Sequence, residues 1–168
     1  MSDFLKEISM KYVIPLELVE LEDHNYHLTV TSRFESGKDG MWIIDSGASK
    51  TVFDESLKEL YVPVSMDETI QIQSAGIGEG RLETTLGELS PFLLGEYKHP
   101  ALQVALIDLS HINKLYYHVT SREICGLIGS DFLLSHRAII DYGKLELVLH
   151  KKAKPQEKDS EKLPLCDS

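Results

Sequence analysis

Trp42-Ile43-Ile44-Asp45-Ser46-Gly47-Ala48-Ser49, WIIDSGAS in one-letter code, sets a carboxylate at the end of an apolar run and follows it with small residues. A lone carboxylate is costly to bury as a charge, so something must hydrogen-bond it or share its proton. Gly47 permits close backbone approach, and Ser46 supplies a small hydroxyl able to bond neighbouring backbone. Taken alone, Asp-Ser-Gly reads better as an ordinary turn than as a catalytic motif.

The surrounding chain narrows the reading. Its 168 residues fit one domain and leave little room for a second core. Seventeen basic against 27 acidic residues leave a net charge of −10, the wrong sign for attraction to nucleic acid or an anionic membrane surface. Neither partner is expected. Two cysteines do not make a disulfide framework, and MSDFLKEISM lacks a signal-peptide pattern, so a reduced, cytoplasmic protein is expected.

From Tyr12 to Ile44 the segments YVIPLELVELED, YHLTVTSRF and MWII, rich in Val, Ile, Thr and Tyr, read as strands joined by hairpins, with ESGKDG as a turn. Thr69 to Leu86 reads as a long hairpin with a glycine-rich tip at Gly76, Gly78 and Gly80. Further strands are expected at Ala101 to Leu109 and Ile124 to Ile128, with a last hairpin pairing Ala138 to Asp141 with Leu145 to Leu149. Helical patterning is confined to Asp54 to Leu60 and to Ser130 to Ser135, where Ser130 or Asp131 is the expected cap. The long insert from Gly87 to Ser121 reads as either an added loop, at His111 to Ser121, or a surface excursion. Three regions follow: residues 1–11 as an N-terminal arm or short helix, 12–150 as the domain, and 151–168 as a charged, proline-containing tail expected to be disordered.

Three features together, IIDSGA, the glycine-rich SAGIGEG, and LIG before a short helix, occur in this order. In that combination, spanning roughly Tyr12 to Leu149, the sequence resembles the retropepsin-like aspartic proteases. The resemblance implies an all-β, retropepsin-like closed β-barrel with a flap hairpin and one short C-terminal helix. It also implies an aspartic endopeptidase in which two aspartates share one proton and activate a water for attack on a peptide carbonyl.

The chain holds a single Asp-Ser/Thr-Gly; Asp141-Tyr142-Gly143 lacks the central hydroxyl and is explained by a hairpin. The second aspartate is therefore expected from another copy, in a homodimer with both Asp45 residues on the two-fold axis. By position, the resemblance assigns Asp45, Ser46 and Gly47 to catalysis. It assigns Ala48, Ser49, Ser74, Ala75, Gly76, Ile77, Gly78 and Leu127 to peptide binding, with residues 74–80 as a closing flap. No cofactor or metal is implied, and the partners are a second copy and a peptide or protein substrate. Viral members often carry arginine after the LIG glycine, where this chain has Ser130 and Asp131. What ties the helix to the active-site loop is thus left open.

Other signals read blandly. Gly76 to Gly80 lacks the Lys-Ser/Thr of a phosphate loop. The pairs His24 and His27, and His111 and His118, lack a third ligand and read as surface histidines. Cys125 reads as a small buried apolar residue. The competing functional class is a non-catalytic dimer using the same groove to bind peptides or partner proteins.

Overall fold

The structure is a computed structural model that describes residues 9–64 and 85–152. In chain order it comprises β1 (Ser9–Pro15), β2 (Glu17–Glu22), β3 (Asn25–Phe34), β4 (Asp39–Ile44), β5 (Val52–Asp54), β6 (Tyr61–Val64), β7 (Thr85–Leu89), β8 (Phe92–Leu94), β9 (Tyr97–His99), β10 (Leu102–Ile107), α1 (Ser110–Thr120), β11 (Ile124–Ile128), α2 (Ser130–Ser135), β12 (Ile139–Asp141) and β13 (Glu146–Lys152). Ten strands form one sheet curled into a half-barrel, in the order β6-β7-β10-β5-β11-β4-β3-β8-β9 with β2 also on β3. The remaining three form a second sheet, β1-β13-β12. The all-β expectation holds, and the strands read from residues 12–44 and 124–149 are present. The long hairpin expected from Thr69 lies, up to Thr84, outside the described residues.

The apolar run before Asp45 becomes β4 because it is buried on both faces, as a strand flanked by partners and covered twice must be. Trp42, fully buried, faces the main core, stacked on Phe92 at 5.9 Å and against Phe53 at 5.3 Å, with its indole N–H donated to Ser32 Oγ at 2.9 Å. Met41 and Ile43 point the other way, into a second cluster with Val19, Leu109, Tyr116 and Ile124. The alternation follows from the period of two along a strand. Truncating a side chain such as Trp42 in this setting costs about 3–5 kcal/mol.

Strand β11 lies between β4, to which it is parallel, and β5, to which it is antiparallel. Two glycines make the fit possible. A Cβ on Gly126 would come within 2.3 Å of the Val52 carbonyl oxygen and 2.6 Å of the Trp42 ring, and one on Gly129 within 2.5 Å of the Lys50 carbonyl. Both nearest obstacles are backbone, which has little room to yield. Next to Gly126, the Cys125 side chain is buried as expected, and burial pushes its thiol well above the usual range.

The helices differ from expectation in two places. Residues 54–60 hold only a 3-10 turn, Lys58–Leu60, because Asp54 is used otherwise. Its carboxylate accepts the Ser56 amide at 2.9 Å, and its carbonyl accepts the Leu57 amide at 3.1 Å, closing a turn. The segment read as a loop or excursion is instead the helix α1, ending at Ser121 in a left-handed conformation (φ 55°). Its inward face carries Asn113 and Tyr116, so a polar residue interrupts the apolar period that would have marked it.

That polar residue joins three elements. Asn113 donates Nδ2 to Asp54 Oδ2 at 3.0 Å and to the Ile124 carbonyl at 3.2 Å, while its Oδ1 accepts the Ile124 amide at 2.8 Å. Asn113 is 7% exposed and Asp54 4%, so the network is shielded from water. Asn113→Ala would leave a buried carboxylate oxygen and two backbone groups without these partners. The expected loss is about 2–4 kcal/mol, measured as a lower urea midpoint at unchanged m-value.

A second polar group in the interior titrates. His99 and His136, 6% and 9% exposed, have ring centroids 5.2 Å apart, packed with Tyr97 and Phe132. His136 Nδ1 donates to the Phe132 carbonyl at 2.8 Å, so its Nε2 accepts from the Tyr97 hydroxyl, also at 2.8 Å, in the neutral tautomer. Burial pushes both imidazoles below the ordinary histidine range, and the nearby Lys151 acts in the same direction. The folded state therefore binds fewer protons than the unfolded chain, whose histidines titrate near about pH 6.5. This contribution to stability is complete above that value and is lost as pH falls below it. The melting temperature is expected to drop between about pH 7 and pH 5, with a shallower slope in the double variant His99→Gln, His136→Gln.

Candidate active site

β4 ends at Ile44, and the chain turns at once. The Asp45 amide donates to the Ile128 carbonyl at 3.0 Å, extending the β4–β11 pairing by one bond. The Asp45 side chain then folds back over its own turn. Its Oδ1 accepts the Gly47 amide at 2.9 Å and the Ala48 amide at 3.2 Å, and the Ala48 amide also lies 3.2 Å from the Asp45 carbonyl. Two backbone donors on one oxygen answer the question of how the carboxylate is held: the small residues after it expose their N–H groups to it. Among the described residues nothing donates to Oδ2.

This loop sits at the surface of the chain. Asp45 and Ala48 are half-buried, and Ser46, Gly47 and Ser49 are exposed. It is nevertheless firmly tied from the α2 side. The Ser130 amide donates to the Ala48 carbonyl at 2.8 Å and the Ser130 hydroxyl to the Ser46 carbonyl at 2.7 Å. Asp131 Oδ1 accepts the Thr51 amide at 2.9 Å, the Thr51 hydroxyl at 2.7 Å and the Phe132 amide at 2.8 Å, and Thr51 Oγ1 in turn accepts the Gly129 amide at 3.1 Å. Thr51 is buried. The expected capping by Ser130 or Asp131 is thus corrected in part. The N-cap is Gly129 without a side-chain cap bond, and the Ser130 hydroxyl reaches across to the Asp45 loop instead.

The sequence pattern of the family described as Aspartyl protease matches residues 30–132, which takes in the second half of β3, the whole Asp45 loop, β11 and the start of α2. The chain belongs to the aspartyl protease family. Among solved structures, a retropepsin-like aspartic protease from Rickettsia conorii aligns with 87% of this chain and 94% of its own, at 14% identity and a TM-score of 0.45. The retroviral protease-like domain of Ddi1 from Leishmania major aligns with 72% of this chain and 88% of its own, at 16% identity and a TM-score of 0.42. No curated protein matches the chain.

Within this aspartyl protease chain, Asp45, Ser46, Gly47, Ala48 and Ser49 form one continuous turn. Leu127 lies on β11, opposite Ile43, half-buried against the second cluster together with Ile107 and Ile112. Ser74, Ala75, Gly76, Ile77 and Gly78 lie outside the described residues. An open cleft of about 760 Å³ elsewhere on the chain is lined by Glu55, Ser56, Lys58, Tyr61, Thr85, Leu106, Asp108 and Ser110 and includes no residue of the Asp45 loop. Of the histidines considered as ligands, His27 meets the Tyr116 hydroxyl through Nδ1. Among the described residues no group of three His, Cys, Asp or Glu side chains is arranged to hold a metal.

Thr51 was absent from the sequence-derived site, and Ser130 and Asp131 entered it only as a departure. The available signal was that departure: a hydroxyl and a carboxylate directly after LIG, where the resemblance led one to expect a cation. Asp131→Ala removes the acceptor of three hydrogen bonds, one from each of the Thr51 amide and hydroxyl and one from the Phe132 amide. It is expected to cost about 2–3 kcal/mol in urea unfolding, with Asp131→Asn recovering part of the loss.

Proposed function

We propose that the protein is an aspartic endopeptidase whose catalytic centre is completed by a second copy of the chain. The observation that carries this reading is the placement of Asp45. In a family of proteases, its carboxylate is clamped by two amides on a surface turn, and no second carboxylate faces it among the described residues. A two-fold axis through this turn would bring the two Asp45 side chains together and cover the exposed Ser46 and Gly47. Two carboxylates about 3 Å apart cannot both ionise cheaply, so the pair would hold one proton.

The chemistry then needs no cofactor. The ionised carboxylate takes a proton from a water held between the two side chains as the water oxygen attacks the peptide carbonyl carbon. The protonated carboxyl gives its proton to the carbonyl oxygen. Collapse of the resulting gem-diol, with a proton passed to the leaving nitrogen, breaks the C–N bond and restores the shared proton. In this reading Ser46 braces the pair by bonding to the partner's backbone. Ala48 and Ser49 form the cleft floor, and Leu127 is the apolar wall for a side chain flanking the scissile bond. Residues 74–80 serve as the flap over an extended peptide, which pairs with floor and flap as an added strand. Among the described residues no helix is long and apolar enough to cross a membrane, and the acidic charge argues against nucleic acid as a partner.

The test is cleavage of a diverse peptide library by wild type and Asp45→Asn at several pH values. Asp45→Asn is expected to lose at least about a hundredfold in kcat/KM while keeping its melting temperature. Because each site needs two chains, activity per chain should fall on dilution, and excess Asp45→Asn should poison the wild type by forming mixed dimers. Cleavage by folded Asp45→Asn, or full specific activity from a monomer, overturns the proposal.

A further inference from the structure

We infer that Ser130 is a positioning residue for Asp45, acting through the peptide group that joins Ser46 to Gly47; this rests on Asp45 being the reacting carboxylate. The carbonyl of that peptide group belongs to Ser46 and accepts the Ser130 hydroxyl at 2.7 Å. Its N–H belongs to Gly47 and donates to Asp45 Oδ1 at 2.9 Å. The two bonds lie on opposite ends of one planar unit, so the hydroxyl fixes the tilt of the plane that aims the N–H at the carboxylate.

A hydrogen bond accepted at the carbonyl also draws electron density from the N–H and strengthens it as a donor, the cooperativity of chained hydrogen bonds. The geometry around Gly47 makes the help necessary. Gly47 is exposed and has no Cβ; among the described residues, its two chain neighbours aside, the only heavy atom within 4 Å of a Cβ there would be Asp45 Oδ1, at 3.2 Å. Among the described residues no side chain other than that of Asp45 packs against Gly47 on this side. Ser130 grips the turn at two points, with its hydroxyl on the Ser46 carbonyl of this peptide group and its amide on the Ala48 carbonyl beyond it. The backbone bond survives substitution at residue 130 by any residue but proline, whereas the hydroxyl bond survives only where a hydroxyl is kept. Residue 130 itself is held by the Thr51–Asp131–Gly129 network one step further into the chain. A short chain of bonds thus runs from the buried Thr51 to the surface carboxylate, and among the described residues the Ser130 hydroxyl is its only side-chain link onto the turn.

The experiment compares wild type, Ser130→Ala, Ser130→Thr, Ser130→Cys and, as a control on the same helix, Ser135→Ala, whose hydroxyl bonds only within α2 and its C-cap. The Gly47 amide is followed by 1H–15N NMR. Kinetics are run at chain concentrations high enough that activity per chain no longer depends on dilution. In Ser130→Ala the Gly47 amide proton is expected to move upfield, and kcat to fall roughly three- to tenfold with KM changed less than about twofold. Ser130→Thr keeps both values, Ser130→Cys, with its weak S–H donor, falls between, and Ser135→Ala changes neither. An unmoved Gly47 amide in Ser130→Ala, or a loss carried by KM alone, overturns the inference while leaving the endopeptidase reading intact. Should Ser130→Ala fail to fold, a Gly47 amide in Ser130→Cys identical to wild type overturns it equally. Retained cleavage by Asp45→Asn defeats the endopeptidase reading, whatever residue 130 does.

Discussion

The insertion of β11 between β4 and β5 is the constraint on which the rest depends. It brings the LIG segment, distant in sequence, alongside the apolar run that ends in Asp45, and the strand spacing leaves no volume for side chains at two points. Gly126 lies against the Val52 carbonyl and Trp42, and Gly129 against the Lys50 carbonyl. Because the obstructing atoms are mostly backbone, the approach is rigid, and the turn after Asp45 inherits that rigidity through the Asp45 amide bonded to the Ile128 carbonyl.

Shielded hydrogen bonds, more than ion pairs, fasten the structure around this junction. The five ion pairs found among the described residues, including the bidentate Arg33–Asp39, all have solvent-exposed side chains. Such pairs contribute only about 0–1 kcal/mol each. The carboxylates of Asp54 and Asp131 are placed differently: one is buried, the other half-buried, and both take N–H donors rather than cations. A carboxylate accepting several N–H groups organises backbone at fixed distances, as a mobile lysine or arginine on the surface does not. Asp54 ties α1 to β5 through Asn113, which also holds the Ile124 backbone of β11, and Asp131 pins α2 against the segment following Asp45. The two helices therefore hold the junction from its two ends.

The strands were legible because their signals are local. The apolar run of β4, the β-rich β1 to β3, and the ICGLI of β11 each carry their period in a few consecutive residues. Ser130 to Ser135 matched α2 at both ends because glycine precedes it and a compact apolar patch, Phe132 and Leu133, faces inward. The helix α1 was not legible for an equally physical reason. Its inward face includes Asn113, which is favourable there only because Asp54 and the Ile124 backbone, distant in sequence, supply its partners. The buried pair His99 and His136 escaped notice in the same way, since the two residues stand on different elements and are joined through Tyr97, Phe132 and the fold itself.

By itself, the sequence determined that this is a single, acidic, all-β chain with one Asp-Ser-Gly turn after a doubly buried strand, because composition, period and glycine placement are properties of neighbouring residues. The proposed pairing with a second copy rests on there being one Asp-Ser/Thr-Gly within these 168 residues. Only the tertiary structure decided how the turn is held. Where a cation was the familiar device, a hydroxyl and a carboxylate at Ser130 and Asp131 do the work, and their partners Ser46 and Thr51 lie some eighty residues away. Hydrogen bonds are short-ranged and directional, so which donor meets which acceptor is settled only when the chain has closed around β11.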